Sequence, residues 1–116
     1  MLRELQVTID CADPDALADF WAAALGYVRH GSQGPYRSIV DPDGRHPELV
    51  FQRVAEPKVG KARIHLDVYV DDIPAEVERL TQLGARAAED GWFHEEGERW
   101  RVMADPEGNE FCVCSR

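Results

Sequence analysis

Apolar and polar residues alternate through "QVTIDC", which predicts a strand over Gln6–Cys11 with Val7, Ile9 and Cys11 on one face. At Asp13-Pro14 the period changes. Asp caps a helix and Pro fits its first position. Leu17, Phe20, Trp21, Ala24 and Leu25 then recur at helical spacing until Gly26 ends the element. The design returns further on, where Ile64, Leu66, Val68 and Val70 alternate with His65, Asp67, Tyr69 and Asp71. Asp72 opens a second helix with Ile73, Val77, Leu80 and Leu83 on one face, and Gly84 closes it. The two capping residues, Asp13 and Asp72, are 59 positions apart.

The remainder of each half repeats as well. "DPDGRHPELVF" and "DPEGNEFCVC" each hold an Asp-Pro-acid-Gly turn that leads into a terminal strand. Strands are predicted before each turn, at Tyr36–Val40 and Trp100–Ala104, with short edge strands near Tyr27–His30 and Arg86–Ala88. "EDGWFHEEGE" reads as a solvated loop. Each half is therefore βαβββ, and the chain is an α+β fold made of two copies of one unit. Residues 1–116 form a single domain in this reading, with module one at 1–54, a linker at 55–62 and module two at 63–116.

Strand parity separates two faces. Val7, Ile9, Cys11, Leu49, Phe51, Ile64, Leu66, Val68, Val70, Phe111 and Val113 are expected to pack on the helices. The opposite parity carries Gln6, Thr8 and Asp10, then Glu48, Val50 and Gln52, and in the second half His65, Asp67, Tyr69, Glu110, Cys112 and Cys114. His, Tyr, Gln and Cys are unusual on a plain exterior, so this parity is expected to line a concave, partly polar cavity.

Composition narrows the setting. The formal net charge is −9 and the 13 basic residues are scattered, which argues against nucleic acid or an anionic membrane as partner. Three cysteines and an N-terminus without a signal-like apolar run point to free thiols in the cytoplasm. The expected partner is a small molecule. His94 does not complete an HExxH motif, and the i, i+2 spacing of Cys112 and Cys114 disfavours a disulfide between them.

Taken together, the paired modules and the stretches "ADPDALADFWAAALGY", "KARIHLDVYVDD" and "ADPEGNEFCV" resemble the vicinal oxygen chelate superfamily (glyoxalases, bleomycin resistance proteins and dioxygenases), and within it the small bacterial glyoxalase-like domain. The resemblance implies curved sheets with helices outside, a homodimer, and metal ligands on the first and last strand of each module. Seven residues before each capping Asp lie Gln6 and His65, and seven after each turn Asp lie Glu48 and Cys112. By resemblance Gln6, Glu48 and His65 hold one divalent metal (Zn, Ni, Mn or Fe), with Glu48 doubling as the catalytic base. Cys112 stands where the resemblance calls for a carboxylate. Asp67, Tyr69, Trp92, Phe93, Trp100, Cys112 and Cys114 are the expected substrate-binding residues.

Two functions remain open at this point. One is a metal-dependent lyase or isomerase, or a dioxygenase relative, acting on a small oxygenated or thiol-adduct substrate. The other is a metal-free protein that sequesters an aromatic or cationic natural product of the bleomycin type. The acidic charge and the Trp92, Phe93 and Trp100 cluster would serve the second.

Overall fold

Strand β1 (Gln6–Cys11) runs into helix α1 (Pro14–Leu25), and the junction is set by Asp13, whose carboxylate accepts a hydrogen bond from the Ala16 N–H at 3.1 Å. Gly26 ends the helix at φ 74°, a left-handed geometry that suits glycine. Three strands follow: β2 (Val28–Gln33), β3 (Tyr36–Val40) and β4 (Glu48–Arg53). The second half repeats the order with β5 (Leu66–Tyr69), α2 (Ile73–Leu83), β6 (Arg86–Glu95), β7 (Glu98–Ala104) and β8 (Glu110–Ser115). Asp72 caps α2 through the Ala75 N–H at 3.1 Å, and Gly84 closes it at φ 119°. The computed structural model describes residues 3–95 and 98–115, and their side chains except at 89–95 and 98.

Each half builds one four-stranded mixed sheet, ordered β1-β4-β3-β2 and β5-β8-β7-β6. The first strand of each half lies parallel to the last, and the remaining pairs are antiparallel. The chain divides into two compact units, 1–57 and 58–116. One helix covers one face of each sheet. In the first unit Leu17, Phe20 and Trp21 of α1 are buried, as are Ile39, Leu49 and Phe51 of the sheet, and Phe20 meets Trp21 edge-on at 5.2 Å. In the second, Ile73 and Leu80 are buried, as are Met103, Phe111 and Val113. Full burial of each such large apolar side chain contributes about 1.5–3 kcal/mol.

Three expectations need correction. Strand β5 is shorter than the alternation over 64–70 implies, and Ile64 is 83% exposed instead of packing on the helix. The reason is local: residues 58–64 are tied to β8 by Glu110, described below, and the ladder with β8 begins at Leu66. The stretch expected to be a solvated loop is largely strand, since β6 continues to Glu95 and β7 begins at Glu98. Its shift of register between Ala87 and Trp92 interrupts the apolar alternation by which strands are recognised. Strand β2 likewise runs on to Gln33, past a shift of register between Arg29 and Ser32.

A polar sheet face and a His-Asp-Cys cluster

In the first module the face opposite α1 is built from cross-strand partners. Gln6 lies beside Glu48, Thr8 beside Val50, Ser38 beside Val50, and Tyr36 beside Gln52. These residues, with Gly31, Ser32, Gln33 and Arg37, line an open hollow of about 660 Å³. Gln6, Glu48 and Gln52 thus bring amide and carboxylate groups onto one surface, with the buried Val50 as an apolar floor. Charge ties α1 to β2 and β3: Arg37 bonds Asp15 at 2.9 Å, and Arg29 bonds Asp15 and Asp19, each at 3.1 Å. The Arg37 and Arg29 guanidiniums hold the Asp15 carboxyl below its usual range. Ser38 is buried, and its hydroxyl accepts the Gly31 N–H at 2.9 Å, which pins β2 to β3 at the irregularity.

In the second module the equivalent face carries Asp67 and Tyr69 of β5, Cys112 and Cys114 of β8, and Trp100 and Val102 of β7, all placed by register. Tyr69 is 43% exposed, whereas both cysteines are buried free thiols. The backbone of Trp92 pairs with Arg101 and that of Phe93 with Trp100, while the side chains of Trp92 and Phe93 lie outside the described residues. His65, just before β5, places Nε2 3.2 Å from Asp67 Oδ1. The Cys112 thiol also faces Asp67, so that donor atoms of His65, Asp67 and Cys112 all lie within 4.8 Å of one another. Burial, then the Asp67 charge and hydrogen bond, push the thiol up from its ordinary 9.0 to about 11.

Register revises the correspondence between the halves. Thr8 and Asp67 each stand five residues before their capping Asp, and their neighbours on the last strand are Val50 and Cys112. Cys112 is therefore the counterpart of Val50, and Glu110 is the counterpart of Glu48. The hairpins agree: Ile39 pairs with Leu49, and Met103 with Phe111. The cause is a first turn two residues longer. Asp41 accepts N–H groups from Asp43, Arg45 and His46, and the strand starts only after Pro47, whose carbonyl takes the Tyr27 hydroxyl at 2.8 Å. The buried Asp105 accepts from Glu107 and Asn109, and the strand starts at once with Glu110.

Glu110 itself is engaged. Its carboxylate accepts from Lys58 Nζ and from the Ala62 N–H, both at 3.0 Å. Burial alone would raise its pKa, but the Lys58 ammonium, its own backbone N–H and the Ala62 N–H outweigh this and hold it below its ordinary 4.5. Neither Glu110 as a counterpart of Glu48 nor Lys58 as its partner follows from counting along the turns. The apolar pairs Leu49/Phe51 and Phe111/Val113, aligned on each other, carry the signal.

Of the expected metal ligands, Gln6 and Glu48 belong to the first module and His65 to the second. Gln6 and Glu48 are neighbours and offer oxygen donors. His65, Asp67 and Cys112 offer nitrogen, oxygen and sulfur, a set that fits a borderline-soft divalent cation such as zinc.

A family described as "Glyoxalase-like domain" matches residues 6–114. Solved structures are similar across the whole chain. A glyoxalase/bleomycin resistance protein/dioxygenase family enzyme from Burkholderia phytofirmans PsJN is 19% identical, with 95% of each chain covered and a TM-score of 0.73. A member of the same superfamily from Sphaerobacter thermophilus DSM 20745 is 18% identical, covering 100% of this chain and 98% of that one, with a TM-score of 0.74. A protein titled "Oxidase ChaP-H2" is 21% identical over 99% of this chain and 94% of its own, with a TM-score of 0.72. At these identities the likeness is one of fold. No curated protein is similar enough to the chain to count as a match.

Proposed function

Since the chain belongs to the glyoxalase-like domain family, we propose that it binds a small oxygenated molecule on the polar face of its first sheet and transforms it there, with Glu48 as base. The observation that carries this reading is the hollow of about 660 Å³ in which Gln6, Thr8, Ser38, Glu48 and Gln52 converge over Val50. Its polar groups can orient a ligand's oxygens through hydrogen bonds, while the apolar floor accepts carbon. A carboxylate in reach of a carbon acid can take and return a proton between adjacent carbons. A divalent metal would supply Lewis acidity to a carbonyl beside that base. The Gln6 amide and the Glu48 carboxylate, on paired strands, would be the groups of this hollow that hold such a metal or, without it, orient the ligand's oxygens directly.

The test is a substitution pair. Glu48→Gln keeps shape and hydrogen bonding, so it should retain ligand binding while losing about 100-fold or more in turnover. Suitable probes are 2-oxo acids, catechols and the hemithioacetal of methylglyoxal with glutathione. Equal turnover in wild type and Glu48→Gln would contradict the assignment of the base. The family expectation of a homodimer belongs to this reading, and sedimentation at micromolar concentration checks it.

One feature favours a second reading, sequestration of a cationic aromatic compound. Register places Trp100, Tyr69 and Asp67 on the open face of the second sheet, and the chain carries a net charge of −9. A stacked cation near an aromatic ring gains about 0.5–2 kcal/mol. Bleomycin should then quench tryptophan fluorescence saturably, and Trp100→Ala should weaken its binding. A flat titration rejects this reading.

A further inference from the structure

We propose that the second module holds a zinc-class divalent cation through the His65 imidazole, the Asp67 carboxylate and the Cys112 thiolate, a site contained entirely within that module. The three donor atoms lie within 4.8 Å of one another, and the His65–Asp67 pair is already at 3.2 Å. Zinc with N, O and S ligands at about 2.0–2.3 Å needs ligand separations of about 3.3–3.7 Å, so closure requires a shift of about 1 Å.

Comparison of the two modules shows why the donors sit here. In the first, Gln6 and Glu48 are in register. In the second, the counterpart of Glu48 is Glu110, and it is occupied by Lys58 and the Ala62 N–H. The donors stand two residues further along both strands, at Asp67 and Cys112. Their first-module counterparts, Thr8 and Val50, form no such set. A residue pair that is Thr and Val in one copy and Asp and Cys in the other turns an inert place on the sheet into a chelating one. His65 and Asp67 are about half exposed, which leaves the cation a path from solvent, while Cys112 is buried behind them. Three protein ligands leave one tetrahedral position open for water or a ligand oxygen.

Cobalt(II) is the probe, because thiolate coordination gives an intense near-ultraviolet charge-transfer band and tetrahedral geometry gives strong visible bands. Tag-free, reduced full-length protein is titrated with cobalt(II) and then with zinc(II). The expected result is a saturable thiolate band at one equivalent that zinc displaces. Asp67→Asn and His65→Gln alter half-exposed side chains, so both should fold, as circular dichroism will show. Each should weaken cobalt binding by at least about tenfold. Cys112→Ala should remove the thiolate band. If that variant does not fold, the first two still decide the matter.

A thiolate band that forms with undiminished affinity in both Asp67→Asn and His65→Gln overturns the proposal, because neither side chain would then be a ligand. So does cobalt binding without a thiolate band that is lost in Glu48→Gln, since it moves the metal to the first module. No cobalt binding at any concentration tested also overturns it, but leaves the ligand hollow of the first module untouched.

Discussion

Cys112 shows how one residue acquires its character from its neighbours. Its thiol is buried and faces the Asp67 carboxylate, which together hold it protonated up to about pH 11. Without metal it should behave as an inert thiol. At pH 8 it carries ~100-fold less thiolate than an ordinary cysteine. Site-resolved mass spectrometry after iodoacetamide should find Cys112 unlabelled in native protein and labelled in denaturant. Rapid native labelling would contradict the placement. The sign of the pH effect follows: a folded pKa above the unfolded 9.0 stabilises the fold below pH 9, and that contribution fades as pH rises through about 11. Glu110 runs the other way. Its folded pKa lies below 4.5, so its ties to Lys58 and Ala62 stabilise the fold above that pH and are lost on acidification. Exchange of the Ala62 amide should accelerate in Glu110→Gln at neutral pH. Unchanged protection would show that the carboxylate does not hold this segment. The sequence identified Cys112 as a residue of interest but assigned it the wrong counterpart. Counting from the turn Asp misses that Pro47 delays the first strand by two residues.

Helices α1 and α2 were both legible, because cap, apolar stripe and terminal glycine agree in each, with Pro14 adding to the signal in α1. Asp13→Ala and Asp72→Ala should each cost about 1 kcal/mol. The two share no partner, so their effects on chemical denaturation should add. Strands β1 and β3 were equally plain, whereas β2, β5 and β6 were not. In β2 and β6 a register irregularity breaks the alternation, and in β5 the tether through Glu110 removes the first residues from the ladder. The β2 irregularity depends on Gly31. A Cβ there would lie 2.9 Å from Ser38 Oγ, the atom that accepts the Gly31 N–H. Gly31→Ala should therefore destabilise by about 1–2 kcal/mol, through overpacking and a weakened buried hydrogen bond. In a Ser38→Ala background the same change should cost clearly less. Additive costs would exclude the contact as the cause.

At the scale of the molecule, duplication made the architecture readable. Two copies of βαβββ predict two sheets of the same order, and both are found. No described helix is long and apolar enough to cross a membrane. The copies have diverged at their open faces, one towards amides and a carboxylate, the other towards His, Asp and Cys. That divergence is invisible to composition, because it depends on which strand positions face each other. The most direct test of the proposed function is the amide footprint of a bound ligand in two-dimensional NMR spectra of the full chain. Titration with the 2-oxo acid, catechol and hemithioacetal probes should give at least one saturable response. It should be centred on Gln6, Thr8, Ser38, Glu48 and Gln52 and be altered in Glu48→Gln. Saturable responses confined to residues away from that face, or none from any probe, would contradict it.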